Sequence, residues 1–196
     1  TVLGLVRRIS VAIHGDARAA AAALTARLHG RDLACHANLG ERRERIAAEK
    51  AAWEQELEAW PQERDPYSLE AAANSSRLHP RQVLRELERA MPARAMVSTD
   101  IGNICSVSNS YLRFDEPRSM FAAMSFGNCG YAFPVICGAK VALPDRPAIA
   151  YVGDGAWGIS LNELLTCTRE RIGVTVVVFN NGQWGAEKKN HVDFYS

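Results

Sequence analysis

Two short apolar segments, residues 148–152 and 174–179, restrict the fold of this chain more than any other feature. Both contain β-branched residues, and both are shorter than a buried helix, so we predict two buried strands. Residues 159–169 between them have the length and composition of a helix. Strands that alternate with helices of this length form βαβ units. The sequence therefore predicts an α/β fold in which helices cover both faces of a parallel sheet.

Similar patterns precede these two strands. A further strand is predicted over residues 95–98, and helices are predicted over residues 81–90, 103–112 and 130–143. Near the start, residues 8–13 form an apolar run typical of a strand, and residues 17–29 have a helical pattern that ends before Gly30. We interpret residues 1–30 as the C-terminal end of a separate, central α/β domain.

Charge and cysteine content exclude several kinds of function. The 196 residues include 23 basic and 22 acidic side chains, for a net charge of +1, which provides no field to hold nucleic acid or an anionic membrane. Apolar runs are far shorter than the roughly 20 residues of a membrane span. The five cysteines form no C-x-x-C pair and no Cys/His cluster, so neither a disulfide framework nor a zinc site is predicted. Scattered reduced cysteines are typical of a cytoplasmic protein.

Each of the two apolar strands is followed by a short polar motif. Gly153-Asp154-Gly155 follows the first, and Asn180-Asn181 follows the second. Because the carboxyl ends of parallel strands meet at one edge of a sheet, where ligands bind, the two motifs are expected to lie together. Either motif alone is a common turn, but their joint placement after two strands, one helix apart, favours a shared site.

A diphosphate with a divalent cation fits these residue types. Glycine permits the close approach of backbone to phosphate, and a helix N-terminus presents unpaired N–H groups to an anion. Magnesium prefers oxygen ligands, and combines a few protein groups with phosphate and water. Asp154 offers a carboxylate, Asn181 an amide oxygen and Gln183 a backbone carbonyl. The sequence therefore predicts a magnesium diphosphate site, with residues 79–196 as its domain.

The remaining segment, residues 31–78, is predicted to connect the two domains. Residues 38–64 are rich in Glu, Arg, Lys and Ala with a sparse apolar stripe, which indicates a long, mostly exposed helix that ends at Pro61. A coiled-coil partner helix is the alternative, although the heptad pattern is not sustained. Residues 65–78 are predicted to be an irregular linker.

The G-D-G motif, the spacer and the N-N motif together resemble the signature of thiamine-diphosphate-dependent enzymes. Residues 125–134 resemble the segment that faces the aminopyrimidine ring in the acetolactate-synthase branch, and residues 99–103 resemble that branch's first phosphate loop. Within the branch, the stretches DIGNICSVSNSYLRF, MSFGNCGYAFP, GDGAWG and QWGAEKKN are most similar to its acetyltransferases. Members of that group cleave sulfite from sulfoacetaldehyde and pass the two-carbon unit to phosphate, which gives acetyl phosphate.

The resemblance implies roles for individual residues. Asp154, Asn181 and the carbonyl of Gln183 would bind magnesium. The diphosphate would be held by Ile101, Gly102 and Asn103, by Gly153 and Gly155, and by backbone groups of Ala156 and Trp157. The carbonyl of Gly127 would accept from the 4′-amino group of the cofactor. Cys129 would lie under the bent cofactor, where acetolactate synthases carry Met.

The resemblance does not identify the residues that bind the substrates or activate the cofactor. Two anionic substrates require cations, and Lys188 and Lys189 are candidates, although solvated lysines at a helix start are an equal alternative. The glutamate that activates the cofactor in this family comes from an N-terminal domain of a neighbouring subunit, so a homodimer or homotetramer is implied. Catalytic residues are therefore not assigned, and Glu41, Glu44 and Glu49 on the connecting helix are not given that role.

The ends of the chain suggest that it is part of something longer. It begins with Thr1 rather than Met, and it ends at Ser196 soon after the second motif. We therefore expect a C-terminal fragment whose cofactor domain is truncated and which is inactive alone. An acetolactate-synthase-like carboligase or decarboxylase and a non-catalytic cofactor-binding module are the alternatives.

Overall fold

The computed structural model describes residues 8–31, 38–59 and 78–195, and the chain divides into two compact units, residues 1–53 and 54–196. The first unit contains α1 (Ala17–Leu28) and most of α2 (Leu39–Ala59). The carboxylate of Asp16 accepts a hydrogen bond from the backbone N–H of Ala19 at 2.8 Å and so caps α1. No residue of α1 is buried.

One prediction for the first unit is confirmed and one is wrong. The helix predicted over residues 17–29 is α1, but residues 8–13 are exposed and form no strand. A strand needs a neighbour that pairs its backbone groups, and no strand of the described ranges pairs with these residues. Whether residues 1–30 end a central α/β domain stays a prediction. The predicted helix end at Pro61 and almost all of the linker lie outside the described residues.

The second unit is built on a parallel sheet. Its elements are α3 (Pro80–Ala90), β1 (Met96–Thr99), α4 (Asn103–Ser108), β2 (Met120–Ala122), α5 (Ala132–Ala142), β3 (Ala148–Gly153), α6 (Asp154–Ser160), α7 (Glu163–Glu170), β4 (Thr175–Phe179) and α8 (Gly185–Tyr195). The strand order is β2-β1-β3-β4, and every pair is parallel. The predicted α/β fold is therefore confirmed. The chain reverses its direction of strand addition between β1 and β3, the position at which such sheets bind ligands.

The two faces of the sheet have separate cores, because successive side chains of a strand point to opposite faces. Val97, Ile149 and Tyr151 lie in one cluster, with Leu57 from the end of α2 and Leu84 from α3. The other cluster is formed by Met96, Ala148, Ala150, Val152, Ala132, Phe133, Ile136 and Cys167, from β1, β3, α5 and α7. The buried Leu57 shows that the end of α2, predicted as an exposed connector, belongs to the core of the second unit.

Several element boundaries differ from the predictions. The single helix predicted over residues 159–169 is two helices, because α6 begins directly at Asp154 and a turn at residues 161–162 precedes α7. The helix predicted over residues 103–112 ends at Ser108. Strand β2 was not predicted, since three residues are too few for periodicity to indicate a strand. Strand β4 is at the edge of the described sheet, so Thr175 and Val178 are exposed rather than buried.

Among the described helices, none is both long and apolar enough to cross a lipid bilayer.

Candidate functional site

The candidate site lies at the carboxyl ends of all four strands. The ring segment, residues 123–131, follows β2, and the β1 loop, residues 100–103, follows β1. Gly153-Asp154-Gly155 lies at the end of β3, and the β4 turn, residues 180–184, follows β4. Because the strands are parallel neighbours, these four segments, which overlap the motifs predicted from the sequence, share one edge of the sheet.

The strand register aligns the two motifs predicted to bind the cation. Gly153 is paired with Phe179 at the end of the β3–β4 ladder. Asp154 and Asn180 therefore follow immediately on two strands that lie about 4.8 Å apart. This confirms the prediction that both motifs lie at the same edge of the sheet.

The carboxylate of Asp154 has no partner in the described part of the chain. It is half-buried at the first position of α6, and no described side chain or backbone N–H bonds to it. A partly desolvated carboxylate without a partner is costly unless a cation or water satisfies it. The carboxylate of Asp154 is therefore suited to bind a cation.

The β4 turn is held by local hydrogen bonds. Oδ1 of Asn180 accepts from the N–H of Gly182, and Oδ1 of Asn181 accepts from the N–H of Gln183, both at 3.1 Å. Gly182 has a φ of +67°, which glycine adopts without strain. Since an amide oxygen has two lone pairs, Oδ1 of Asn181 retains one for a cation.

Two glycines allow the β4 turn to approach the other segments. A Cβ on Gly155 would lie 3.0 Å from Cε2 of the Trp184 indole, so Trp184 packs directly on the G-D-G backbone. A Cβ on Gly185 would lie 3.3 Å from Nδ2 of both Asn103 and Asn181. The structure thus brings together Asn103, Asn181 and the G-D-G motif, which are far apart in sequence.

The β1 loop combines a glycine at positive φ with a buried carboxylate. Gly102 has a φ of +134° and begins α4. Asp100 is 0% exposed, and its carboxylate accepts from the N–H of Tyr131 at 2.7 Å and of Ala132 at 3.3 Å. Burial raises the pKa of Asp100, and the hydrogen bonds from Tyr131, Ala132 and Gly130 oppose this rise. The β1 loop is therefore tied to the start of α5.

The ring segment contacts both neighbours. The Cys129 thiol donates to the carbonyl of Ile101 at 3.9 Å. A Cβ on Gly130, whose φ is +81°, would lie 2.6 Å from Cγ2 of Ile159 in α6. Burial raises the pKa of Cys129, and the negative charges of Asp100 and Glu187 raise it further. Gly127, with a φ of +79°, is exposed in the same segment.

Ala156 and Trp157 occupy the first turns of α6. Ala156 is buried, and the Trp157 ring lies 5.0 Å from that of Phe133, in the core between α5 and α6. Their side chains thus pack inward, and the diphosphate-binding role of their backbone groups stays a prediction.

Lys188 and the three glutamates considered from the sequence lie at exposed positions on helices, and the role of Lys189 stays a prediction. Lys188 in α8 donates to Oε1 of Gln183 at 3.2 Å, so it lies beside the β4 turn. Glu41, Glu44 and Glu49 are exposed on α2.

Cys105 and Cys137 are small packed residues rather than nucleophiles. Burial raises the pKa of the Cys105 thiol. Burial and the neighbouring Cys167 raise the pKa of Cys137 to about 12, and the two sulfur atoms lie 3.2 Å apart. Because the thiolate is the reactive form, Cys105 and Cys137 are poor nucleophiles.

Sequence reasoning did not assign Asp100 or Trp184 to the site. The start of α5 has no local capping side chain, which was a signal that a distant carboxylate would supply one. Trp184 follows N-N-G-Q in the sequence, but only the fold reveals that its indole faces Gly155.

Residues 100–196 match the family described as "Thiamine pyrophosphate enzyme, C-terminal TPP binding domain". The chain belongs to the thiamine-pyrophosphate-dependent enzymes. Sulfoacetaldehyde acetyltransferase of Castellaniella defragrans is 64% identical over 200 residues, which cover 100% of this chain and 33% of that protein. The protein of the same name from Alcaligenes xylosoxydans xylosoxydans is 64% identical over 205 residues, 100% of this chain and 34% of that protein.

More distant relatives have other names. Acetolactate synthase isozyme 3 large subunit of Escherichia coli (strain K12) is 30% identical over 144 residues, 74% of this chain and 25% of that protein. Among solved structures, the thiamine diphosphate-dependent 4-hydroxybenzoylformate decarboxylase of Rhodococcus jostii RHA1 is 25% identical. The likeness covers 63% of this chain and 23% of that one with a TM-score of 0.57. The family resemblance is confirmed, and the chain spans about a third of the length of the relatives it matches.

Proposed function

We propose that this chain binds thiamine diphosphate with magnesium, as part of an acetyltransferase that converts sulfoacetaldehyde and phosphate into acetyl phosphate and sulfite. One observation carries the proposal: the four segments of the resemblance meet at the carboxyl ends of four adjacent strands, beside the carboxylate of Asp154, which has no partner among the described residues. The 64% identity to relatives named for sulfoacetaldehyde supports this substrate over pyruvate.

The protein groups suit a magnesium ion. Asp154 contributes the one charged ligand, Asn181 the free lone pair of its amide oxygen and Gln183 its backbone carbonyl. These groups are hard oxygen donors. Because they are only three, they leave coordination positions for diphosphate oxygens and water.

The surrounding backbone suits the rest of the cofactor. Gly102 and Gly153 have open space where a Cβ would lie, so a diphosphate can approach the backbone of the β1 loop and of α6. In the ring segment, the backbone carbonyl of Gly127 would accept from the cofactor's amino group, and Cys129 would support the bound cofactor. When bound, the cofactor supplies a carbon nucleophile for the aldehyde, while these residues orient it and hold its charge.

The remaining parts of the proposal come from the family. The glutamate that activates the cofactor lies in another domain of a neighbouring subunit, which makes the working enzyme a homodimer or homotetramer. Residues 1–30 end a central α/β domain, and residues 31–78 connect it to the cofactor domain. The unpaired cysteines at positions 105, 129, 137 and 167 favour a cytoplasmic location.

An exchange of segments tests the activity. The matching 200-residue stretch of the Castellaniella defragrans enzyme is replaced by this chain, and acetyl phosphate and sulfite are measured with sulfoacetaldehyde and phosphate. We expect activity that depends on thiamine diphosphate and magnesium, whereas the 196-residue chain alone is inactive. A folded exchange protein that binds the cofactor but releases no sulfite would refute the proposed substrate.

The acetolactate synthase relatives make a pyruvate-directed carboligase or decarboxylase the second candidate. The same exchange protein is therefore assayed with pyruvate alone. Acetolactate or carbon dioxide formation without sulfite release from sulfoacetaldehyde would favour that candidate. Cofactor binding with neither activity would favour a non-catalytic binding module.

A further inference from the structure

Asp100 is the one acidic side chain that is fully buried among residues 8–31, 38–59 and 78–195. It directly precedes Ile101, Gly102 and Asn103 of the β1 loop. Its two carboxylate oxygens accept from the backbone of Tyr131 and Ala132, at the N-terminus of α5. A carboxylate at that position is favoured by the helix dipole and makes charge-assisted hydrogen bonds.

The same carboxylate joins two parts of the proposed cofactor site. On one side lies the β1 loop, which faces the diphosphate. On the other side, Tyr131 ends the ring segment, which carries Gly127 and Cys129. The bond from the Cys129 thiol to the carbonyl of Ile101, 3.9 Å long, is a second link between the two segments.

We propose that Asp100 is a positioning residue that fixes the separation between the diphosphate-facing β1 loop and the ring segment. The proposal rests on the proposed function, because only a ligand with both a diphosphate and a ring uses the separation. Two subsites held at the correct distance bind a linked ligand much more tightly than its separate parts. If the separation is not fixed, the linked ligand loses this advantage, while each part keeps its own contacts.

Ser98 provides a matched control. Its side chain is 0% exposed on β1, the strand that the β1 loop follows, and its hydroxyl donates to the carbonyl of Ala132 at 2.7 Å. Ser98 therefore ties β1 to the same helix start, but from within the strand rather than from the loop. Both residues can contribute to the stability of the fold. Only Asp100 is expected to position the β1 loop as well.

The test compares three forms of the full 196-residue chain: wild type, Asp100→Asn and Ser98→Ala. Asparagine keeps the shape of the side chain, but its NH2 group opposes a backbone N–H donor. Calorimetry measures the affinity for thiamine diphosphate and for inorganic pyrophosphate, each with magnesium. We expect D100N to weaken thiamine diphosphate binding by about tenfold or more, and pyrophosphate binding by less than about threefold. S98A should leave both affinities within about threefold.

Each outcome has a distinct meaning. Unchanged thiamine diphosphate affinity in D100N, an equal loss for both ligands, or the same selective loss in S98A would overturn the positioning role. If wild type binds no thiamine diphosphate, the proposed function fails and the inference fails with it. That result is visible without any variant, so the two failures are distinguishable.

If circular dichroism shows that D100N does not fold, a second variant and a second measurement replace it. Asp100→Glu keeps the charge and displaces it by one methylene, and the same selective loss is expected. In the exchange enzyme, either variant should raise the cofactor concentration for half-maximal activity about tenfold and leave kcat at saturating cofactor within about twofold. A fall in kcat without that shift would indicate a loss of folded protein and would contradict the proposal.

Discussion

The two sides of the candidate site are built in different ways. The β1 loop is anchored by the buried carboxylate of Asp100, which is satisfied by the backbone of α5. The β4 turn is exposed, and it is held by two local hydrogen bonds of Asn180 and Asn181 and by the Trp184 indole on Gly155. The first side is held by buried hydrogen bonds that need no ligand. The second side depends on weaker contacts. A cation bound by both Asp154 and Asn181 would strengthen them, because these residues follow separate strands.

The largest effect should come from Asp154, where the two sides meet. Asp154→Asn removes the one charged ligand proposed for magnesium and leaves the fold intact, because no described group depends on that carboxylate. We expect the affinity for magnesium and thiamine diphosphate to fall by more than about 100-fold, beyond the loss typical of outer-shell changes. Calorimetry that compares D154N with wild type measures this loss of affinity. Asp145→Asn, in an exposed loop, is the control; equal binding by D154N and D145N would disprove the metal assignment.

The second prediction tests whether the β4 turn depends on the indole contact. Gly155→Ala would place a Cβ 3.0 Å from Cε2 and 3.1 Å from Nε1 of Trp184, so the indole must move. We expect cofactor affinity to fall about tenfold and the tryptophan fluorescence to shift, because the β4 turn moves with Trp184.

Gly158→Ala is the matched control, because it lies in the same helix and has open space for a Cβ. It should bind the cofactor like wild type. The double variant with Trp184→Ala should lose less affinity than the sum of the single changes, since both act on one contact. Full additivity would show that Gly155 is required for another reason.

The third prediction concerns the anchored side and pH. Burial raises the pKa of Asp100 above its usual 3.8, so the folded protein holds this proton more tightly than the unfolded chain. Its contribution to the free energy of unfolding is complete below the usual pKa and is lost as pH rises through the raised one. The stability of wild type relative to D100N should therefore be greater at pH 4 than at pH 7.

Urea unfolding of wild type and D100N at both pH values measures this difference in the free energy of unfolding. The two proteins differ only at residue 100, so the pH dependence that they share cancels in the comparison. A relative stability of D100N that does not change with pH would show that Asp100 is not protonated more readily in the fold.

Local patterns in the sequence were sufficient for three strands of the parallel sheet, β1, β3 and β4, and for the motifs at the ends of β3 and β4. Apolar strands and glycine-containing turns are short-range features, and strand direction then places their ends together. The tie from Asp100 to Tyr131 and the contact between Trp184 and Gly155 join residues that are distant in sequence. No local pattern encodes which distant backbone a buried carboxylate will cap. Residues 8–13 failed as a strand for a related reason, because pairing depends on a neighbour rather than on the segment itself.

The smallest effect is expected at Lys188, on the exposed side. Its ammonium bonds to Gln183 beside the β4 turn, so it can attract phosphate, but water and salt screen an exposed charge. Lys188→Met in the exchange enzyme should raise the apparent KM for phosphate about threefold, with less change at high ionic strength. Lys50→Met, on α2, is the control. An unchanged phosphate KM would mean that Lys188 is a solvated lysine, and that the exposed side of the site recognises the cation but not the second substrate.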